Sequence, residues 1–300
     1  MSYAISTENL CKKFRGVAAL AGLDLKAPEG SIYALVGPNG AGKTTTLKIL
    51  MNIFPPTMGR AEVLGVETRR LSPREFAAIG YVSENQKMPY WMTVEYFLAY
   101  LKPFYPTWDS TLEEELVRQF DLPLNRKLGH LSRGMQMKVG LASSLAYHPK
   151  LIILDEPFTG LDALVRDQLI EGLLERAGRA TVLISSHDLA EIESFASHIG
   201  YLDHGRLLFS EEMSALADRF REVEVTLEAA PALPAHWPQA WMRPDSSAAV
   251  LRFVDSHFDQ KQTTAEIRRL FPGVRNISFN PMSLRSIFVL LAKGARKAAA

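Results

Sequence analysis

The segment Gly37-Pro38-Asn39-Gly40-Ala41-Gly42-Lys43-Thr44 constrains this chain more than any other stretch, because it fits the pattern G-x-x-x-x-G-K-[ST]. Before it, Ser31 to Val36 (SIYALV) reads as a short buried strand; after it, TTTLKILMNI spaces Leu47, Leu50 and Met51 as a helix does. Strand, glycine loop and helix in that order begin an α/β fold. The glycines let successive backbone N–H groups turn toward one anion, and the next helix adds its positive end. Lys43 then supplies a point charge for β and γ phosphates, and the Thr44 hydroxyl a ligand for Mg²⁺.

A second run, Leu151-Ile152-Ile153-Leu154-Asp155-Glu156-Pro157, places four apolar residues ahead of two carboxylates. Such a strand is buried, and its C-terminal end is where ligands sit in an open α/β sheet. Consecutive strand side chains point to opposite faces, so the two acids have different tasks. Asp155 suits a magnesium shell, and Glu156 can face an attacking water. Four further candidates each have an ordinary reading beside the functional one. Gln86 comes after the apolar run Ala78 to Val82 and fits turn surface; His187 comes after TVLISS and fits a helix cap or surface position. Ser132 is a good N-cap for the apolar-striped helix behind it, and Phe14, after two lysines, fits a core position.

Ala78 to Val82, Leu151 to Leu154 and Thr181 to Ser185 are apolar runs ending in polar residues. Between the last two, LVRDQLIEGLLERAG carries Leu164, Leu169, Leu173 and Leu174 on one helical face with Gly178 as a stop, which predicts a crossover helix between parallel strands. From about Pro89 to His148 the pattern is helical with almost no strand-like run, an expected helical insertion in the α/β body. After Phe220 the texture changes. REVEVTL alternates, AAPALPAHWPQAWMRP is proline-rich and aperiodic, AAVLRFV is strand-like, TAEIRRLF and SLRSIFVLLAKG are helical, and Ala295 to Ala300 reads as a loose tail. The expected organisation is therefore a large domain over residues 1–220, with its helical part at about 89–148, and a small α+β domain over 221–300.

The set of motifs, in this order, closely resembles the nucleotide-binding subunit of ATP-binding cassette (ABC) transporters, from about Tyr3 to Phe220. The resemblance identifies GPNGAGKTT (Gly37 to Thr45) as the Walker A loop, Gln86 in SENQKMP as the lid-loop glutamine and LSRGMQ (Leu131 to Gln136) as the signature. LIILDEP is then the Walker B strand, Thr159-Gly160-Leu161-Asp162 the D-loop, His187 in SSHDLAE the switch histidine and Phe14 the adenine-stacking aromatic. It implies a P-loop NTPase core with a helical subdomain, with ATP held by Phe14, by Gly37 to Thr45 and, across an interface, by Ser132, Gly134 and Asp162. It implies Mg²⁺ held by Thr44, Gln86 and Asp155, and hydrolysis served by Glu156, His187 and Gln86. The resemblance further implies that two cassettes close head-to-tail on two ATPs, so that Ser132 and Gly134 of one meet the γ phosphate held by Lys43 of the other. The pattern departs from the family's at Arg133, where glycine is usual, at Met135, where glutamine is usual, and at Thr159, where serine is usual. The tail is similar to the small C-terminal extension of single-cassette exporters, with NPMSLRSIFVLLAKG (Asn280 to Gly294) as a closing segment.

Composition narrows the alternatives. With 34 basic and 33 acidic residues the chain has a net charge of +1, which argues against a nucleic-acid partner recognised through bulk charge. One cysteine, Cys11, excludes an internal disulfide and a cysteine zinc site and fits the reducing cytoplasm. The N-terminus has no basic start followed by an apolar run, and the longest apolar stretch near the C-terminus, Ile287 to Ala292, is far short of the roughly 20 residues of a membrane helix. The expected partners are accordingly a second cassette and separate integral membrane permease subunits, with the chain peripheral on the cytoplasmic face of the membrane and export the expected direction. A cassette ATPase of translation or DNA maintenance is the alternative, but neither a second P-loop nor sustained heptads occur. A small-molecule phosphotransferase would leave Ser132 to Gln136 and His187 idle. His236 and His257 lack ligand spacing, and Trp237 and Trp241 are expected as packing anchors.

Overall fold

A run as apolar as Ile32 to Val36 is stable only where a sheet is covered on both faces, and all five residues of this strand are buried. The computed structural model describes residues 2–84, 86–175, 179–230 and 237–299, and the chain divides into two units, Met1–Ser210 and Glu211–Ala300. In chain order the first contains β1 (Tyr3–Phe14), β2 (Val17–Leu23), β3 (Lys26–Pro28), β4 (Ile32–Val36), α1 (Lys43–Leu50), β5 (Met58–Val63), β6 (Val66–Glu67), α2 (Pro73–Phe76) and β7 (Ile79–Ser83). It continues with α3 (Val94–Leu101), α4 (Ser110–Gln119), α5 (Arg133–Leu145), β8 (Leu151–Asp155), α6 (Ala163–Leu174), β9 (Thr181–Ser186), β10 (His198–Asp203) and β11 (Arg206–Glu212).

The central sheet runs β11-β10-β4-β9-β8-β7, and its pairings from β10 to β7 are all parallel. β8, α6 and β9 form the expected crossover; the stop expected at Gly178 lies outside the described residues. An antiparallel sheet, β2-β1-β5-β6 with β3 on the other part of β1, faces it. Leu47, Ile49 and Leu50 of α1 fill one core with Leu10, Leu20 and Leu23 of the antiparallel sheet and Leu35, Ile153 and Leu183 of the central sheet. The glycine-loop helix is thus gripped from both sides.

Residues between β7 and β8 are helical, as their pattern predicts, and each long helix starts on a polar cap. Thr93 accepts from the Tyr96 N–H, Asp109 from Thr111 and Leu112, and Ser132 from Met135. This helical subdomain is keyed to the body by small residues. Phe120 is fully buried in the space left by Gly172 of α6, where a Cβ would lie 2.8 Å from the ring, and Gly140 lets α5 approach Val82 of β7.

The second unit contains α7 (Met213–Arg219), β12 (Arg221–Leu227), β13 (Trp241–Ser247), β14 (Val250–Asp255), α8 (Gln260–Leu270), β15 (Val274–Pro281) and α9 (Leu284–Ala299). Its sheet runs β13-β14-β12-β15, antiparallel throughout. Alternation in β12 turns Val223, Val225 and Leu227 into a core shared with Leu251, Phe253, Ile267 and Phe271. Trp241 stacks on Phe253 at 4.2 Å, and the Trp237 indole donates to the Trp241 carbonyl at 2.7 Å, so both are packing anchors.

Three expectations change here. The two units divide between Ser210 and Glu211, inside β11, rather than after Phe220; Arg219 pairs with Glu211, and its carbonyl accepts from the Phe258 N–H, within the second unit. Trp241 to Pro244, the end of the stretch read as aperiodic, open an edge strand that runs to Ser247, and Pro244 is tolerated there at a register shift. The tail read as loose is helical through Ala299. His257 is exposed as expected, and His236 lies outside the described residues. Among the described residues no helix is long and apolar enough to cross a membrane.

The central sheet also depends on a missing side chain. Beside Gly200 of β10 stands the buried Tyr33 of β4; a Cβ at 200 would lie 2.3 Å from the Tyr33 hydroxyl, which hydrogen-bonds Ser210 at 2.6 Å. Gly200→Ala is expected to cost about 1–3 kcal/mol in urea unfolding. Adding Tyr33→Phe should recover part of that loss by removing the nearest atom, and a Gly200→Ala protein as stable as wild type would refute the packing.

Candidate functional site

Parallel register brings the functional strand ends into one row. Val36 of β4 pairs with Ser186 of β9, Ser185 of β9 with Asp155 of β8, and Asp155 with Ser83 of β7. The chain therefore leaves all four strands on one rim: the glycine loop after β4, Glu156 after β8, His187 after β9 and Glu84 after β7. These surround a cavity of about 470 Å³, lined by Asn39 to Thr45, Glu84, Glu156, Thr159, His187 and Ala19.

The glycine loop is forced by close approach. A Cβ on Gly37 would stand 2.0 Å from the Leu202 carbonyl, and Gly42 caps α1 at φ 112°, a left-handed conformation open to glycine at little cost. Ala41 is buried beneath the loop while Gly40 turns at φ 81°. The loop folds back over Lys43, whose side chain is only 6% exposed and whose ammonium donates to the carbonyls of Gly37 at 2.7 Å and Pro38 at 3.3 Å. Its ion pair is Glu156, 3.1 Å away. Backbone N–H groups at the start of α1 open on the same cavity, a ready anion site.

The two acids after the buried strand do point apart. Asp155 is buried, and its Oδ1 accepts from the Thr44 hydroxyl at 3.0 Å and the Ser185 hydroxyl at 2.7 Å. Glu156 turns into the cavity in a left-handed conformation, φ 52°, held by its N–H on the Ser185 hydroxyl. Its Oε2 meets His187 Nδ1 at 2.7 Å and accepts from the Thr159 hydroxyl at 3.3 Å. Burial is the strongest single influence on this carboxyl and opposes its charge; the His187 bond and the Lys43 charge together outweigh it and hold the group below the usual carboxylate range.

The remaining expected site residues lie elsewhere in the single chain. Gln86 is exposed, and it is Glu84 that occupies the cavity wall after β7, its N–H on the Asp155 carbonyl at 3.0 Å. Sequence reading missed Glu84, although its place one residue past a buried parallel strand matches that of Glu156. Phe14 is 38% exposed, edge-on to Phe54 with the Lys12 ammonium 4.9 Å from its ring. Ser132 caps α5 with its side chain at the surface, Gly134 is buried where a Cβ would lie 3.2 Å from Val165, and Asp162 caps α6. Ser185, which ties Asp155 to Glu156, carried no role in the sequence reading, and Thr159, named there only as the first residue of the D-loop, donates to Glu156.

Known proteins bear on this arrangement. The ABC transporter family matches residues 20–159. The chain is 31% identical to the daunorubicin/doxorubicin resistance ATP-binding protein DrrA of Streptomyces peucetius over 96% of this chain and 92% of that one. It is 26% identical to the ABC transporter ATP-binding protein YtrB of Bacillus subtilis, over 98% and 99% of the two chains. A dimeric structure of MJ0796, a bacterial ABC transporter cassette, superposes with a TM-score of 0.62 at 26% identity, covering 70% of this chain and 98% of the cassette. With a P-loop NTPase fold, a helical subdomain and a C-terminal α+β extension, the chain belongs to the ABC transporter family as an ATP-binding subunit.

Proposed function

We propose that this subunit hydrolyses MgATP in the cavity beneath the glycine loop and uses the cycle to drive export through separate membrane subunits. The observation that carries the reading is the chain of contacts Lys43–Glu156–His187 at the ends of β4, β8 and β9. Lys43 has no surface role, and its ammonium sits where β and γ phosphates would meet it. A triphosphate is the stronger anion, so it takes Lys43 from Glu156 and leaves that carboxylate to orient and deprotonate a water. His187, on the other Glu156 oxygen, fixes the direction of the carboxylate and stands at the open side of the γ-phosphate position.

Mg²⁺ fits the donors present. Thr44 and Asp155 offer a hydroxyl and a carboxylate already in contact, and among the described residues no larger cluster of His, Cys, Asp or Glu could cage a metal. That suits an ion that keeps waters and takes its other ligands from phosphate. When bound, it neutralises charge on the phosphates.

The rest of the reading concerns partners. Ser132 presents a hydroxyl at the start of α5, outside the chain's own cavity, where a second copy arranged head-to-tail would bring its γ phosphate; Asp162 and the buried Gly134 shape the same surface. One phosphate between two positive helix ends closes the pair while it lasts. Peripheral attachment to the cytoplasmic face of a membrane comes from the need for a permease subunit, and the drug-resistance role of the Streptomyces relative favours export.

Lys43→Ala is expected to abolish measurable nucleotide binding in calorimetry while circular dichroism stays unchanged; wild-type affinity would sink the assignment. Glu156→Gln should keep binding but slow hydrolysis about 10²- to 10⁴-fold. In MgATP it should elute as a dimer during gel filtration, and turnover at the wild-type rate would remove Glu156 from the chemistry. Ser132→Arg should bind ATP normally yet neither dimerise nor hydrolyse it, and normal monomeric hydrolysis by this variant would exclude the head-to-tail site.

A further inference from the structure

Arg133 occupies the first position of α5, where a cation faces the positive end of the helix and costs stability rather than adding it. Its guanidinium leaves the helix, lies beside Gly160 after β8, and makes an ion pair with Glu84 in the wall of the nucleotide cavity. Glu84 is the acid that the cavity itself does not neutralise. Among the described lining residues the lysine is Lys43, and its ammonium is on Glu156, whose other carboxylate oxygen is on His187. The Glu84 side chain is 20% exposed and its backbone is tied to the Asp155 carbonyl, so it stays close to any bound phosphate.

We infer that Arg133 is a positioning residue for nucleotide binding, cancelling the Glu84 carboxylate from within the same chain and drawing it back from the phosphates. A triphosphate brings several negative charges into the cavity, and an unpaired carboxylate in its wall repels them over several ångströms. The pair also ties the start of α5, with Ser132 beside it, to the end of β7. The inference rests on the ATP-binding reading of the cavity.

The test is a charge cycle on the full chain, titrating a fluorescent ADP analogue with Mg²⁺ into wild type, Arg133→Gln, Glu84→Gln and the double variant, with melting curves on each. Arg133→Gln keeps most of the side-chain stem and should weaken binding about five- to twentyfold at low salt, a deficit that shrinks as salt is added. Glu84→Gln alone should bind at least as well as wild type. The double variant should return to within about twofold of wild type, because without the carboxylate there is nothing to cancel. Unchanged affinity in Arg133→Gln, a double variant as weak as Arg133→Gln, or a Glu84→Gln protein as weak as Arg133→Gln would each overturn the inference. Should Arg133→Gln lower the melting temperature, the sign of the double-variant rescue still decides. Failure of wild type itself to bind would instead overturn the ATP-binding reading.

Discussion

A lysine ammonium held out of water is the constraint around which the rest of this cassette is arranged. Lys43 is buried, and a buried charge is tolerated only where partners replace its hydration. Here the partners are two carbonyls of the loop that precedes it and the carboxylate of Glu156, contributed by a strand more than a hundred residues away in sequence. The loop reaches back over Lys43 only because Gly37 can pass against the Leu202 carbonyl and Gly42 can turn left-handed before α1. The glycines thus make the anion site and also give its cation a place to wait.

The parallel sheet supplies what the loop cannot. Four strands end in register, so residues from four distant stretches share one rim without any of them being long or flexible. Asp155 and Glu156 divide their tasks through the strand pleat: the first, still in the strand, pairs with the Thr44 and Ser185 hydroxyls, and the second, past its end, turns into the cavity. Ser185 binds both and fixes their separation. The antiparallel sheet on the far side of α1 keeps that helix in place, with Leu47 and Leu50 packed in the core the two sheets share.

The helical subdomain presents its polar helix ends away from its core. Its caps are satisfied within the chain, so the single chain by itself fixes the surface around Ser132. The second unit has its own sheet and its own aromatic core around Trp241 and Phe253.

The sequence determined the class of the central sheet, because Ile32 to Val36, Leu151 to Leu154 and Thr181 to Ser185 are too apolar for anything but doubly covered strands. It also singled out Lys43 and Thr44 through the glycine-loop pattern and Asp155 and Glu156 through their place at the end of such a strand, whereas His187 was singled out only by the resemblance. The antiparallel sheet was not legible: β1 carries register shifts at Cys11 and Lys13 that break its alternation, and its other neighbour, β5, comes after the glycine loop and α1. Nor was β13, whose residues after Trp241 are mostly exposed on a sheet edge and so bear no hydrophobic period. Tertiary structure alone decided that Glu84, rather than Gln86, stands in the cavity wall, because both come after the same strand and only the turn after β7 separates a residue lining the cavity from one facing solvent. It alone decided that Arg133 reaches Glu84, since a pairing between residues far apart in sequence depends on how two elements pack and leaves no periodic trace in either.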